Sequence, residues 1–434
     1  MRSMQSVRLH VARLAGIAHF VPLAAAALML GVAMSFTAPY LSLFGVEAAG
    51  MSPWLAGVFM TLIAASGVVA STWAGRWSDR RDRHRPLLVV SLVAAALGFA
   101  LLCVLRAHAP VIVAGTLLLG AGAVSLSQIF SFARAVLPVG DDAQRELASA
   151  ALRTMLSVAW VFGPALGALI LAQTGFAGLF LAASAGFVAC AAIVARIPEP
   201  ARRTAAVRVH TIDPAAAPPH GAAAVIAGPR ASVVRTLVAL TLMGLAANAT
   251  MIVLPLYIVR GLGGTPTNVS AALGLAALLE IPMMLWLGIR STRLDKARWL
   301  SACAIVHVVY FVGLAAVTRV NMILPLQLLS AGVVAITSCL GMTRVCDLMP
   351  TRSGTATAMF FSTARVGSIA SGVLSGACVD LFGYRATFAG CCGLALVACV
   401  LLAADARGER GGVAGANGAN GTTASPRRRA DAPH

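Results

Sequence analysis

The stretch Gly75-Arg76-Trp77-Ser78-Asp79-Arg80-Arg81-Asp82-Arg83-His84-Arg85 is the densest run of charge in this sequence. It lies between two apolar runs of about 20 residues, each long enough to cross the hydrocarbon core of a bilayer. Its five arginines cannot enter hydrocarbon, so the stretch predicts a loop between two membrane spans. Because basic loops stay on the cytoplasmic side, the same stretch predicts how the chain is oriented.

The composition of the whole chain is that of a membrane protein. Of its 434 residues, 59% are hydrophobic and 11% are charged, whereas soluble domains carry about 25% charged residues. The net charge of +18 does not indicate nucleic-acid binding, because the basic residues fall in loops on one side of successive spans. The nine cysteines lie in or beside apolar runs without metal-ligand spacing, so we interpret them as packing residues and expect no cofactor.

The apolar segments predict an all-α polytopic membrane protein. Twelve of them can be marked between residues 16 and 404, and the first is too long to be a signal peptide. A segment rich in Ala, Pro and Arg separates two sets of six. The predicted domains are a six-helix bundle at 1–197, a cytoplasmic linker at 198–232, a six-helix bundle at 233–404 and a disordered cytoplasmic tail at 405–434.

The distribution of charge predicts that both termini of this multi-pass membrane protein are cytoplasmic. With this orientation most basic residues lie in the termini, the linker and the cytoplasmic loops. Only four arginines fall on the other side, namely Arg106, Arg260, Arg319 and Arg385. The stretch from Gly288 to Arg298 is a faded copy of the first basic loop, which indicates an internal six-plus-six duplication of the kind found in transporters.

The basic loop resembles the loop between helices 2 and 3 of the major facilitator superfamily. The resemblance rests on the ordered spacing of Gly75, Asp79, Arg80 and Arg83. It implies the fold of that superfamily, two pseudo-symmetric six-helix bundles, and a gating role for these four residues, with Asp79 helping to hold the cytoplasmic side closed. The alternative is an ordinary positive-inside loop.

Helix 5 contains Gly163 and Pro164, which resemble the G-P-x-x-G motif of exporters in the same superfamily. A plain helix kink with small-residue packing is compatible with the same residues. Two arginines, Arg134 and Arg153, are predicted near the cytoplasmic ends of helices 4 and 5. They either snorkel to the surface or help to close an inner gate.

Longer stretches narrow the resemblance to the bacterial sugar efflux transporters. They include Leu279-Glu280-Ile281-Pro282-Met283 and Asp347-Leu348-Met349-Pro350 in the second half, and Leu156-Ser157-Val158-Ala159-Trp160-Val161-Phe162-Gly163-Pro164 in the first. The resemblance implies export of sugars or glycosides, driven by inward flow of protons. An exporter of drugs or amphipathic compounds on the same fold is the alternative. A membrane enzyme or receptor is not supported, because no nucleophile–base pair, metal cluster or nucleotide-binding loop is visible.

Glu280 is the only acid well inside any predicted span. Ionisable groups at membrane depth are costly and usually face a cavity. A carboxylate held away from water can alternate between a neutral and a charged form, so we predict that Glu280 couples proton movement to transport. Arg365 in helix 11 is predicted to take part in the coupling, because it would pair with the charged carboxylate and be released when Glu280 binds a proton. The alternative is that the same two residues form a purely structural ion pair.

Sugar recognition requires polar groups for paired hydroxyls and an aromatic platform for the sugar ring. The amide candidates are Gln128, Asn248 and Gln327, and Trp160 is the candidate platform. His307 is a weaker candidate, because helix 9 lies on the lipid-facing outside of the fold that the resemblance implies. The expected partners are a sugar or glycoside, protons and membrane lipids, with no nucleic acid, and the expected state is a monomer.

Overall fold

The computed structural model describes residues 17–81, 83–137, 142–198, 227–290, 294–349 and 353–421. All regular structure in these residues is helical, and ten segments are long and apolar enough to cross a membrane. Two of the ten are interrupted by a glycine with positive φ, Gly175 at 66° and Gly383 at 81°. This conformation suits glycine because it lacks a Cβ. Each interruption divides one segment into two crossings, so the predicted twelve spans are confirmed.

The helices follow one another with short connections. In chain order they are α1 (Phe20–Glu47, with a break between Phe20–Ser35 and Ala38–Glu47), α2 (Pro53–Arg81), α3 (Arg85–Leu102), α4 (His108–Val136), α5 (142–174), α6 (176–196), α7 (Ala231–Gly261), α8 (Pro266–Arg290), α9 (Lys296–Ala316), α10 (Val320–Leu348), α11 (353–382) and α12 (384–421). Three of them contain one π turn each, at Gly115–Leu119, Tyr257–Gly261 and Thr337–Gly341. Such turns locally widen a helix and are frequent at functional sites.

The two six-helix halves meet through matching helices. The largest contacts between the halves are those of α2 with α11, of α5 with α8, and of α1 with α7. Helices α2 and α8 hold equivalent positions in the two halves, and so do α5 and α11. The contact of α2 with α11 is therefore repeated, with the halves exchanged, by the contact of α8 with α5. This arrangement is what a duplicated pair of bundles related by a pseudo-two-fold axis produces.

Among the residues that the structure describes, contacts between the halves are concentrated at one end of the molecule. We call it the Glu47 end, where α1 leads to α2 and α7 leads to α8, and we call the opposite end, where α2 leads to α3, the Arg81 end. Five hydrogen bonds between described residues join the halves here. Thr61 donates to the carbonyl of Ile369 (2.9 Å) and accepts from the backbone N–H of Val373 (2.8 Å). The other three run to backbone carbonyls, from Ser42 to Ile252 (3.0 Å), Tyr40 to Pro266 (3.4 Å) and Arg260 to Val46 (3.4 Å). The Arg260 guanidinium also lies 4.0 Å from the Glu47 carboxylate. The Glu47 end is therefore the closed end of the interface.

The basic stretch is more helical than the sequence predicts. The helix α2 continues to Arg81, so Gly75 and Arg80 lie in its last turns and the connection to α3 is only a few residues long. Two features stabilise this extension. Cations at a helix C-terminus interact favourably with the helix dipole, and the Arg81 guanidinium lies 4.8 Å from the centre of the Trp77 ring.

Two predicted segments fall wholly or partly outside the described residues. Residues 199–226 of the linker and 422–434 of the tail belong to these parts. Helix α12 extends to Gly421. It therefore continues into the tail from residue 405 onward, for which the sequence predicts disorder. Asp405 anchors this helix, because its carboxylate accepts hydrogen bonds from Arg235 and Thr236 at the start of α7.

A glycine contact between α2 and α11 gives a testable prediction. A Cβ added at Gly57 would lie 2.3 Å from the carbonyl oxygen of Gly372. We expect Gly57→Ala to weaken closure of the Glu47 end by about 1–3 kcal/mol, because overpacking forces the backbones apart. Hydrogen exchange should accelerate around residues 53–61 and 369–376.

The control is Gly75→Ala in the same helix, where the added Cβ meets nothing within 4 Å. We expect this variant to leave exchange at the Glu47 end unchanged and to favour the helix by up to about 1 kcal/mol. Equal exchange in the two variants would mean that the glycine contact does not hold the halves together.

Candidate functional site

The second half contains a cavity of about 360 Å³, which we call the second-half cavity. Most of its wall comes from α7, α8, α9 and α10, and α5 of the first half completes it. Its polar side chains are Thr250, Glu280, His307, Tyr310, Gln327 and Ser330, and Trp160 supplies the aromatic wall. The cavity therefore brings hydrogen-bonding groups from four helices to one place beside an indole ring.

The first-half cavity has a volume of about 290 Å³ and is lined mainly by apolar side chains of α1–α4. Its polar groups are few, and Asn248, Ser368 and Ser371 come from the second half. One amide N–H of Asn248 donates to the carbonyl of Gly244 at 2.8 Å. This bond uses the amide nitrogen and leaves the amide oxygen to accept a hydrogen bond from a solute. Trp160 and Met251 line both cavities and mark where the two adjoin.

Polar side chains cluster on one wall of the second-half cavity. The side chain of Tyr310 lies near those of Ser330 and Gln327. Gln327 is 1% exposed, and one of its amide N–H groups donates to the carbonyl of Ile323 at 3.3 Å. This bond restricts the orientation of the amide, which is what precise recognition of a solute hydroxyl requires.

Glu280 lines this cavity on α8, but the structure does not bring Arg365 to it. Arg365 is exposed on α11 and lines neither cavity. Within the described residues, Glu280 forms no ion pair. The predicted pair of Glu280 and Arg365 is therefore not formed in this conformation. The two helices that carry these residues contact different parts of the first half, since α8 packs on α5 and α11 packs on α2.

Gln128 lies away from both cavities. It is 2% exposed, and its side chain lies 3.5 Å from the Ser78 hydroxyl and 3.4 Å from a His84 ring nitrogen, near the Arg81 end. Three of the four predicted solute-binding residues, Trp160, Asn248 and Gln327, thus lie on cavity walls. Gln128 instead satisfies polar groups where α2, α3 and α4 meet.

The predicted exporter motif of α5 packs against α1. A Cβ at Gly163 would lie 1.8 Å from the Ser35 hydroxyl, and that hydroxyl donates to the carbonyl of Ala159 at 2.9 Å. The carbonyl of Pro164 accepts a hydrogen bond from the Tyr40 hydroxyl at 3.0 Å. Tyr40 also contacts Pro266 of the second half, so the motif lies at the junction of the halves.

The remaining gating candidates lie toward the Arg81 end. Arg80, Arg83 and Arg134 are exposed there. The side chains of Asp79 and Arg153 lie outside the described part of the chain, so their predicted roles are not tested by the geometry.

Sequence reasoning missed Tyr310 and Ser330, and it kept His307 only as a weaker candidate. In the structure, Cys303, His307, Tyr310 and Leu314 recur every three to four residues along α9 and are all buried. This stripe faces the bundle, while Ile305, Val309 and Val312 form the exposed face.

Two six-helix halves, sealed at one end and enclosing cavities between them, define a polytopic membrane transporter. The chain belongs to the Major Facilitator Superfamily, whose family model matches residues 23–318 and 236–430. This confirms the family and the fold that the basic stretch predicts.

Two curated relatives match most of the chain. A "Putative sugar efflux transporter" of Deinococcus radiodurans is 36% identical over 88% of this chain and 96% of its own length. "Sugar efflux transporter A" of Escherichia coli K12 is 32% identical over 87% of this chain and 93% of its own. The narrower resemblance to sugar efflux transporters is confirmed by these relatives.

Solved structures with low sequence identity share the fold. The nucleoside transporter NupG superposes with a TM-score of 0.72 at 10% identity, covering 89% of this chain and 99% of its own. A bacterial homologue of the human lysosomal transporter Spinster, in an inward-facing and occupied conformation, gives a TM-score of 0.68 at 10% identity over 89% and 96%.

Proposed function

We propose that this protein exports sugars or glycosides across the bacterial inner membrane in exchange for protons. The observation that carries the proposal is the second-half cavity, where the polar side chains of Gln327, Tyr310 and Ser330 and the indole ring of Trp160 line the same space. Sugars present paired hydroxyls and an apolar ring face, and such a cavity can bind both at once. The names of the curated relatives, sugar efflux transporters, support the same class of solute.

The first-half cavity supports a second candidate function. Its wall is mainly apolar and adjoins the polar cavity at Trp160. An exporter of amphipathic compounds would use this surface as its principal binding site. For a glycoside, the same surface would take the apolar aglycone, while the sugar occupies the second-half cavity.

Counterflow in proteoliposomes distinguishes the two functions. The labelled solutes are free sugars, alkyl and aryl glycosides, and cationic dyes. We expect saturable exchange of a sugar or glycoside and none of the dyes. Exchange of dyes without any sugar or glycoside would establish the second function in place of the first.

Two glutamines provide a matched pair of variants for the same assay. Gln327 lines the second-half cavity, whereas Gln128 is equally buried but lies outside both cavities. Loss of one hydrogen bond typically costs about 0.5–1.5 kcal/mol, so Gln327→Ala should raise the counterflow KM by roughly two- to tenfold. Gln128→Ala should leave KM unchanged. If the two variants behave alike, the polar wall does not bind the solute.

Proton coupling is the part of the proposal that depends on Glu280. It is the only carboxylate among the residues that line the two cavities. A charged carboxylate in an apolar surrounding is costly, so binding a proton there changes the energy of each conformation. Proton binding and solute binding in one cavity can then drive alternating access.

The proposed orientation places the Arg81 end, with the linker and both termini, in the cytoplasm. The excess of arginine in the connections at this end supports it. Reporter fusions at Arg230 and at the C-terminus should then both report a cytoplasmic location. A periplasmic signal from either fusion would contradict the orientation.

Asp79 is proposed to stabilise the state in which the Arg81 end is closed. It lies near the end of α2, and α11 begins at Ser353 at the same end of the molecule. A helix N-terminus attracts a carboxylate by typically 0.3–1 kcal/mol. Asp79→Asn should slow transport while expression stays normal. Wild-type turnover in this variant would remove Asp79 from the gate.

A further inference from the structure

His307 is a buried base that faces the second-half cavity without a recognised role. It lies on α9, is 2% exposed and belongs to the inward stripe of that helix. Its ring packs against Phe311, with ring centres 4.6 Å apart, and against Tyr310 at 6.3 Å. These contacts hold the imidazole plane in place, so its nitrogens have a defined direction.

The nitrogen Nδ1 of His307 has no hydrogen-bond partner among the described residues, although it is fully buried. A buried polar atom is costly unless it is paired, so such an atom in a native structure calls for an explanation. The aromatic contacts account for the ring carbons but not for this nitrogen. His307 itself lines the cavity, so its imidazole ring is adjacent to any proton or hydrogen-bond donor that enters there.

The titratable groups around this cavity come from four helices. Glu280 lies on α8, Tyr310 on α9 beside His307, Cys339 on α10 near Glu280, and Cys391 on α12 near Tyr310. Tyr310 lies near the side chains of Ser330 and Gln327. Glu280 is therefore the one carboxylic acid, and His307 the one imidazole, that face the same cavity in the described chain.

We propose that His307 is the second proton-binding group of transport and shares one proton with Glu280. The inference rests on the proposed proton coupling. In the transfer, the O–H bond of the Glu280 carboxyl breaks and the lone pair of an imidazole nitrogen of His307 accepts the proton. The products are a carboxylate and an imidazolium, so the total charge of the cavity does not change.

The pair explains how a carboxylate can release its proton in an apolar cavity. An isolated buried carboxylate is costly, but an imidazolium in the same cavity compensates its charge. When the proton then leaves the imidazolium, the net charge of the cavity changes. The relative free energies of the two conformations change with it, which couples proton release to the movement of solute.

The test compares wild type, Glu280→Gln, His307→Gln and His108→Gln in the same proteoliposomes. His108 is exposed near the Glu47 end and serves as a histidine outside the cavity. Each protein is assayed for counterflow without a pH gradient and for transport driven by a pH gradient. We expect His307→Gln to retain counterflow. The rate of gradient-driven transport should fall roughly 100-fold or more, since removing a proton-transfer group typically slows a reaction by at least that factor. His108→Gln should match wild type.

The outcomes separate this inference from the proposed function. If Glu280→Gln loses gradient-driven transport and His307→Gln keeps it, only the role of His307 is overturned. If both variants keep it, proton coupling through this cavity fails, and the inference fails with it. If His307→Gln raises the counterflow KM but keeps the response to the gradient, His307 binds solute and the inference is overturned.

A second measurement does not depend on the folding of a His307 variant. Infrared difference spectra of ring-labelled histidine, recorded between two pH values, report formation of imidazolium. We expect one imidazolium signal of the wild type to be lost in Glu280→Gln, because the shared proton is lost with the carboxyl group. Identical histidine spectra in the two proteins would overturn the inference.

Discussion

Glu280→Gln is expected to abolish transport driven by a pH gradient and to preserve counterflow of the solute. Glutamine keeps the shape and hydrogen-bonding capacity of a protonated glutamate but cannot release a proton. The second-half cavity should therefore still bind solute, while proton binding no longer changes the balance between conformations. The measurement is solute flux in proteoliposomes with and without an imposed gradient.

Two further variants sharpen this prediction. Glu280→Asp should retain part of the gradient-driven flux with a changed pH dependence, because it keeps a titratable group at a shifted position. Asp380→Asn is the matched control, since Asp380 is an exposed acid on α11. Normal gradient-driven efflux in well-folded Glu280→Gln would end the coupling hypothesis and make a facilitator the better description.

The structural alternative for Glu280 predicts a different pattern. If Glu280 and Arg365 form a buried ion pair in another conformation, removing one member should cost several kcal/mol and reduce expression. Neutralising Arg365 as well would then restore expression. Normal expression of Glu280→Gln would argue against the pair, in agreement with the exposed position of Arg365 in this structure.

Asp405→Ala is expected to produce the largest loss of stability among single changes at the Arg81 end. Asp405 is 3% exposed, and its carboxylate accepts from Arg235 at 2.6 Å and from Thr236 at 3.0 Å. Breaking a buried pair typically costs 3–5 kcal/mol. Because the Arg235 side chain is 39% exposed and can regain water, we expect about 3 kcal/mol, measured as a lower melting temperature in detergent.

Asp347→Ala is the control for this effect. Asp347 pairs with Lys296 at the same end, but its side chain is 52% exposed. Exposed pairs contribute about 0–1 kcal/mol, so the melting temperature should hardly change. Replacing Arg235 together with Asp405 should recover part of the stability, because the uncompensated guanidinium is removed. Equal losses in the two single variants would show that burial of Asp405 is not what matters.

The residues of the candidate site were predictable to different degrees. Glu280 stands out in the sequence because a charge in an apolar run is costly wherever the helix faces. Gln128 and Gln327 cannot be told apart in this way, since both are neutral amides within spans. The structure places Gln327 on a cavity wall and Gln128 among α2, α3 and α4.

His307 and Tyr310 show why a sequence pattern does not distinguish cavity-facing from lipid-facing residues of a membrane helix. In a soluble helix, polar and apolar faces separate and reveal which side faces the core. In a membrane helix, the lipid face and the packing face are both apolar. The exposed Val309 and the buried Phe311 of α9 are therefore equally hydrophobic, and hydropathy does not reveal which way His307 points.

The sequence by itself determined the helical class, the twelve spans and the division into two halves. These follow from local properties, because lipid forces the backbone to form its own hydrogen bonds and apolar length alone marks each crossing. Only the tertiary structure decided that Glu280 and His307 share a cavity and that the halves meet at the Glu47 end. Those features depend on how distant helices rotate and pack against one another, and the interaction of Gly57 with Gly372 has no counterpart in local sequence.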